Sequence, residues 1–262
     1  MYIQHQRAWV RLPSGGRIDL LDPQPDAWQD ADLALGLARA YRWGGHSIWP
    51  RPLSVAQHSL LVLALRQQGS SEALSRGAAL QELAHDCDEG LLGFDCITPL
   101  KPLLGDGFRQ LSERLLKTVF RRYGIPWWTP EDYEAHKWAD QLAAASEAVH
   151  VAGWCVNEVH DLLGIDMIPL VHDPLADIYG GIPWEPWPAD VALSRFIAAL
   201  HAGGLPAQTA SGTAGHAFTL EPQAMSAGAR VFPQDVELVR TAVQLLAEVA
   251  ATASERDTPT RR

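Results

Sequence analysis

The stretch Glu82-Leu83-Ala84-His85-Asp86-Cys87-Asp88-Glu89-Gly90 sets an adjacent His-Asp pair inside an apolar run of helical pattern, with a further carboxylate one turn on. Imidazole and carboxylate side chains together hold a divalent transition metal or move protons near neutral pH. A helix repeats every 3.6 residues, so Asp86 and Glu89 would lie near one face with His85 beside them. Adjacent helical residues diverge by about 100°, so His85 and Asp86 can meet at one ion only at the helix edge, with help from other segments.

Two further His-Asp dipeptides compete. His172-Asp173 precedes Pro174, where Asp-Pro is ordinary turn chemistry. His160-Asp161 lies near a predicted helix C-terminus, where a histidine can simply bond the last carbonyls. Only His85-Asp86 is followed by Glu89 at helical spacing and then by Asp95 in Asp95-Cys96-Ile97-Thr98-Pro99-Leu100-Lys101. A mononuclear His/Asp site needs about four protein ligands with positions left open. His58, in Ser54-Val55-Ala56-Gln57-His58-Ser59, is the best upstream candidate, and Asp140, in Trp138-Ala139-Asp140-Gln141, is a comparable acid downstream. Each has a plain alternative: His58 as a satisfied core residue, Asp140 as a solvated charge. The same holds for Arg42 and Lys101 as surface cations, and for Glu89 as part of a solvated helix face, although Leu91 and Leu92 follow it at once.

These side chains must be positioned by helices. Residues 7–21 read as a short hairpin around the turn Pro13-Ser14-Gly15-Gly16. Asp30-Ala31-Asp32 then starts a helical run through Ala34, Leu37, Ala38 and Tyr41, and Ser54 caps the next helix. Residues 71–92 predict a third helix broken at Gly93, 107–123 a fourth ending at Gly124, and Pro130 onward a long one running to about Leu163. The Pro/Trp-rich segment 169–188 predicts a packed loop without regular structure, and 189–201 a further helix. The expected fold is all-α, with an N-terminal β-hairpin and a C-terminal helical extension. Its parts would be a body over 1–202, a flexible linker over 203–232 and an amphipathic helix with a frayed tail over 233–262. That last helix would dock on the body or on a second subunit, the latter making a homodimer.

Composition narrows the function classes. With 262 residues, 47% of them apolar, the chain can bury a sizeable core. A formal net charge of −10 argues against binding polymeric nucleic acid, which rests on clustered Lys and Arg, but leaves room for a small phosphate ester in a pocket. Cys87, Cys96 and Cys155 are odd in number and form no C-x-x-C pair, so they read as small buried residues of a reducing, cytoplasmic protein. The longest apolar run, Leu60 to Leu65, is too short to span a bilayer.

Taken in order, Arg42-Trp43, Ser54-Val55-Ala56-Gln57-His58-Ser59, His85-Asp86-x-x-Glu89, Asp95-x-x-Thr98-Pro99-Leu100-Lys101 and Ala139-Asp140 resemble the HD-domain phosphohydrolases, most closely the YfbR-like 5′-deoxyribonucleotidase branch. The likeness covers about residues 1–150 and continues more weakly to about 200. It implies an HD-domain helical bundle in which His58, His85, Asp86 and Asp140 bind one divalent transition metal. Those ligand types suit Mn, Co, Fe or Zn better than Mg. The resemblance further makes Glu89 and Asp95 the acid/base pair acting on the attacking water, with Arg42, Thr98 and Lys101 on the phosphate and Trp43 on the sugar. The chain departs from the family pattern at Gly44-Gly45-His46 and in one extra residue between Trp43 and His58. The departure leaves the Trp43 role open and makes His46 either a substrate contact or a residue that positions another. The activity implied is release of phosphate from a nucleotide, foremost a deoxyribonucleoside 5′-monophosphate. The alternatives are a deoxynucleoside triphosphohydrolase of the same fold and a non-catalytic scaffold or regulatory module.

Overall fold

A computed structural model describes residues 8–206. The expected linker beyond 206 and the helix over 233–262 lie outside the described residues. What is described is mostly helical, with nine α-helices and one two-stranded antiparallel hairpin. The hairpin pairs β1 (Trp9–Arg11) with β2 (Arg17–Asp19). Its turn is tied to helix α1 (Asp30–Arg39), because Asp32 accepts from the Ser14 N–H at 2.8 Å and from the Ser14 hydroxyl at 2.7 Å.

Helix α2 (Val55–Gln68) is the centre of the body. Its eleven residues Val55 through Leu65 are all buried, the state expected of a helix that is apolar on every side. Ser54 caps it as expected, accepting from the Gln57 N–H at 3.2 Å. Around α2 pack α1, α3 (Arg76–Ala84), α6 (Pro130–His150), α8 (Pro174–Tyr179) and α9 (Ala189–Ala202). Helix α4 (Cys87–Leu92) lies between α1 and α5 (Lys101–Tyr123). Among the described residues no helix is long and apolar enough to cross a membrane.

Four expected boundaries move, each for a local reason. The helix expected over 71–92 is two helices, α3 and α4, which separate at His85-Asp86. There the His85 Nδ1–H donates at 2.7 Å to the Glu82 carbonyl, the oxygen that the Asp86 N–H would claim in an unbroken helix. The expected helix to Leu163 ends at His150. The chain then turns through Gly153, at φ +81°, before the short helix α7 (Val156–Asp161). Helix α5 begins at Lys101 rather than 107 and is interrupted at Gly105, at φ +70° and ψ −164°. The segment 169–188 is not wholly irregular: Asp173 caps α8, accepting from the Leu175 N–H at 2.9 Å, and Pro174 occupies the first turn, where a missing N–H costs nothing. Of the three cysteines, Cys87 and Cys96 are buried as expected and Cys155 is exposed.

Helix α4 reaches its place through a glycine contact. A Cβ on Gly36 of α1 would overlap the Gly90 carbonyl oxygen, and one on Gly90 would meet the Leu37 side chain at 2.6 Å. The neighbour of Gly36 is backbone and cannot swing aside, so Gly36→Ala must push the two helices apart. We expect a loss of about 1–3 kcal/mol or more in urea unfolding. Wild-type stability in Gly36→Ala would contradict that contact.

Candidate metal centre

Three separate segments deliver the expected ligands. His58 projects from the first half of α2 and is fully buried. His85 and Asp86 stand at the break between α3 and α4, so both side chains can turn toward α2, which adjacent positions in one helix can do only at its edge. Asp140 comes from α6. The His58 and His85 Nε2 atoms lie 3.2 Å apart, and Asp86 Oδ2 lies 3.1 Å from His85 Nε2 and 3.6 Å from His58 Nε2. Each of these three residues offers a ligand atom within 4.8 Å of the others. Asp140 stands at the margin: its Oδ1 is 3.4 Å from His58 Nε2, while its Oδ2 accepts from Lys137 Nζ at 2.7 Å.

Both imidazoles turn their Nε2 atoms toward one another. His58 Nδ1 bonds Glu147 Oε1 at 2.7 Å, and His85 Nδ1 bonds the Glu82 carbonyl at 2.7 Å. An ionised carboxylate and a carbonyl can only accept, so in the neutral rings the proton sits on Nδ1 and each Nε2 is a free base. Two such nitrogens and a carboxylate at this range require positive charge between them. Metal–nitrogen bonds of about 2.0–2.1 Å at angles of 90–109° would hold two nitrogens roughly 2.9–3.4 Å apart, so the observed spacing fits one shared ion.

Without metal, protons take that role. Although burial alone would lower the His85 pKa, Asp86 outweighs it and raises it to about 9. His58 is also raised, as Glu147 and Asp140 outweigh burial and the repulsion of Arg42. Asp86 and Asp140 are lowered, held down against burial by the two histidines, with Arg42 acting on Asp86 and Lys137 on Asp140.

Glu89 is buried, and its Oε2 has no hydrogen-bond partner. Burial, with the charges of Asp86, Asp95 and Asp88, pushes its pKa up to about 11. Asp88, in turn, is buried against the Ser112 hydroxyl at 2.5 Å and raised to about 6, chiefly by burial. A sharp pH dependence follows. His85 and Glu89 both bind a proton more tightly folded than unfolded, so stability falls as pH rises through each window. For His85 the window runs from its ordinary 6.5 to about 9, and for Glu89 from 4.5 to about 11. The chelator-treated protein is expected to lose thermal stability steadily from pH 6.5 to 9, and loading with divalent metal should flatten that slope. A flat profile in chelator would refute the proton-filled cluster.

The other expected residues divide. Arg42 starts a short 3-10 helix (Arg42–Gly45) and is held near α2 by the hydrogen bonds of its N–H to the Leu53 carbonyl and of the Val55 N–H to the Ala40 carbonyl. Its Nε donates to Glu147 Oε2 at 2.9 Å, and its Nη1 lies 3.7 Å from Asp86 Oδ2. Asp95 is half-buried, and its charge acts on both Arg42 and Glu89. Trp43, with backbone in the left-handed region at φ +59°, packs against Ala145, Ala148 and Val159, and its Nε1 is buried without a partner. His46, Thr98 and Lys101 are exposed, and none forms a hydrogen bond or ion pair with a member of the cluster. The Lys101 charge does reach Asp88.

The rival dipeptides are set aside by their surroundings. His160 and Asp161 are exposed and pair with each other at 2.7 Å, and Asp173 is occupied as the α8 cap. Two residues of the centre were not among the sequence candidates. Glu147 holds both His58 and Arg42, and His136 lies with its ring 4.8 Å from that of His85 and its Nδ1 2.8 Å from Glu82 Oε2. Glu147 is seven residues beyond Asp140, two helical turns along the same face, the one cue the sequence offered.

No family model matches the chain. It is, however, 39% identical over 160 residues to Uncharacterized protein RCAP_rcc00048 of Rhodobacter capsulatus, covering 61% of this chain and 81% of that protein. The chain belongs to the family of that Rhodobacter protein.

Proposed function

We propose that this protein is a metal-dependent phosphohydrolase of the HD-domain type that releases phosphate from nucleotides, foremost deoxyribonucleoside 5′-monophosphates. The observation that carries the reading is the pair of imidazoles facing each other through free Nε2 atoms 3.2 Å apart, with Asp86 beside them, drawn from segments in the order of the HD motifs. His58, His85 and Asp86 would hold the ion, with Asp140 as fourth ligand, and Mn, Co, Fe or Zn suits this donor set. When bound, the metal supplies Lewis-acid polarisation of the phosphoryl group.

The rest falls to the chain. Arg42 has Nε committed to Glu147, which leaves its Nη N–H groups beside Asp86 for an anionic oxygen. Glu89, which feels the charges of both Asp86 and Asp95, is suited together with Asp95 to hold and pass the proton of the attacking water. The nucleotide class rests on the motif resemblance. A monophosphate is favoured over a triphosphate because Lys137 is taken by Asp140 and Arg42 is shared with Glu147, leaving few cations for a longer tail.

The test is a screen of metal-stripped protein reloaded with Mn, Co, Fe, Zn or Mg against deoxy- and ribonucleoside mono-, di- and triphosphates. Orthophosphate from deoxyribonucleoside monophosphates, with Mg the poorest metal, is expected. Tripolyphosphate from triphosphates would favour the triphosphohydrolase, and no turnover under any condition would favour a regulatory scaffold.

A further inference from the structure

Glu147 is a buried carboxylate with both oxygens committed: Oε1 to His58 Nδ1 at 2.7 Å and Oε2 to Arg42 Nε at 2.9 Å. It sits in the Ala-rich third of α6, between Ser146 and Ala148, which are themselves buried. On one side lies a ligand of the proposed ion, on the other the cation proposed to meet the ester. Resting on the reading above, we propose that Glu147 is a positioning residue that sets metal uptake and anion binding together, by fixing the His58 tautomer with one oxygen and the Arg42 guanidinium with the other.

Donors and acceptors fix both roles. His58 serves the ion through Nε2 only when Nδ1 carries the proton, and Glu147 Oε1 selects that tautomer. Arg42 presents its Nη groups toward Asp86 only while Nε–H is anchored, and Oε2 anchors it. A glutamine of the same size offers one acceptor and one donor group. Its oxygen can serve His58 or Arg42 but not both. If its amide NH2 faces His58, Nδ1 must become the acceptor, and the proton moves to Nε2, where the ion should bind. If it faces Arg42 instead, donor meets donor and the guanidinium shifts. An aspartate keeps two acceptors on a shorter stem and should retain part of both functions.

The experiment measures Mn2+ affinity by chelator competition and inorganic phosphate affinity on the Mn2+-loaded protein, for wild type, Glu147→Gln and Glu147→Asp, with circular dichroism melts as a check on folding. Glu147→Gln is expected to weaken Mn2+ binding by about 10–100-fold, the usual cost of losing the partner of a metal-ligating histidine. At saturating Mn2+ it should also bind phosphate more weakly, and Glu147→Asp should fall between it and wild type in both. If Glu147→Gln does not fold, Glu147→Asp alone decides, since it must still weaken both ligands. Wild-type affinity for either ligand in the folded variants would overturn the inference while leaving the metal-centre reading intact. A wild-type protein that takes up no divalent metal would overturn both.

Discussion

Asp86→Ala is expected to abolish metal retention and hydrolysis together. Asp86 Oδ2 lies within 3.7 Å of His85 Nε2, His58 Nε2 and Arg42 Nη1, so one oxygen serves three cationic or metal-facing groups. Asp86 is also the one carboxylate among the three residues whose ligand atoms lie within 4.8 Å of one another. Its loss leaves two imidazoles and a marginal Asp140 already drawn toward Lys137. The loss of affinity should exceed the roughly 10–100-fold seen when only the partner of a ligand is removed. Elemental analysis after dialysis reads the result directly. Asp161→Ala serves as the contrast, since its side chain is exposed and pairs only with exposed His160. Stoichiometric metal in Asp86→Ala, or metal loss in Asp161→Ala, would place the centre at the wrong His-Asp pair.

Glu89→Gln should separate chemistry from metal binding. Glu89 lies three residues beyond Asp86 and is outside the group that could share an ion, yet it is buried with Oε2 unpartnered and its pKa is raised to about 11. Such a carboxyl holds its proton in the metal-free protein and ionises, so that it can take a proton from water, once positive charge arrives at Asp86. General acid–base assistance is typically worth about 10²–10⁴ in rate, and kcat should fall by that order with metal content unchanged. Stability gives an independent reading. Because the folded protein binds this proton and the unfolded chain releases it above its ordinary 4.5, Glu89 costs stability as pH rises, and the neutral amide should relieve that cost. Glu89→Gln is therefore expected to melt higher than wild type above neutral pH while turning over slowly. Asp95→Asn probes the other half of the pair, and a near-wild-type rate in both variants would remove these carboxyls from the mechanism.

The sequence by itself determined the mostly helical body and the caps that delimit it, because these signals are local. Ser54 satisfies an amide three residues on, Gly124 adopts the left-handed conformation that ends α5, and Pro130 pre-sets the first turn of α6. It also ranked His85-Asp86 above the other two His-Asp pairs and named His58 and Asp140 from motif order. Only the tertiary structure decided how these residues meet. No glycine or proline marks the break between α3 and α4: a side chain, His85 Nδ1, competes for a helical carbonyl, and the Gly36–Gly90 approach seats α4 against α1. Helix α8 was hidden by its shortness, since six residues among prolines carry no readable period. In the sequence Glu147 is a lone acid among alanines, with no local feature to set it apart. Its role depends on Arg42 and His58, 105 and 89 residues away in the chain, arriving at its two oxygens. Periodicity and capping act within a few turns of backbone, whereas a donor set for an ion is a property of distances between segments, which packing alone fixes.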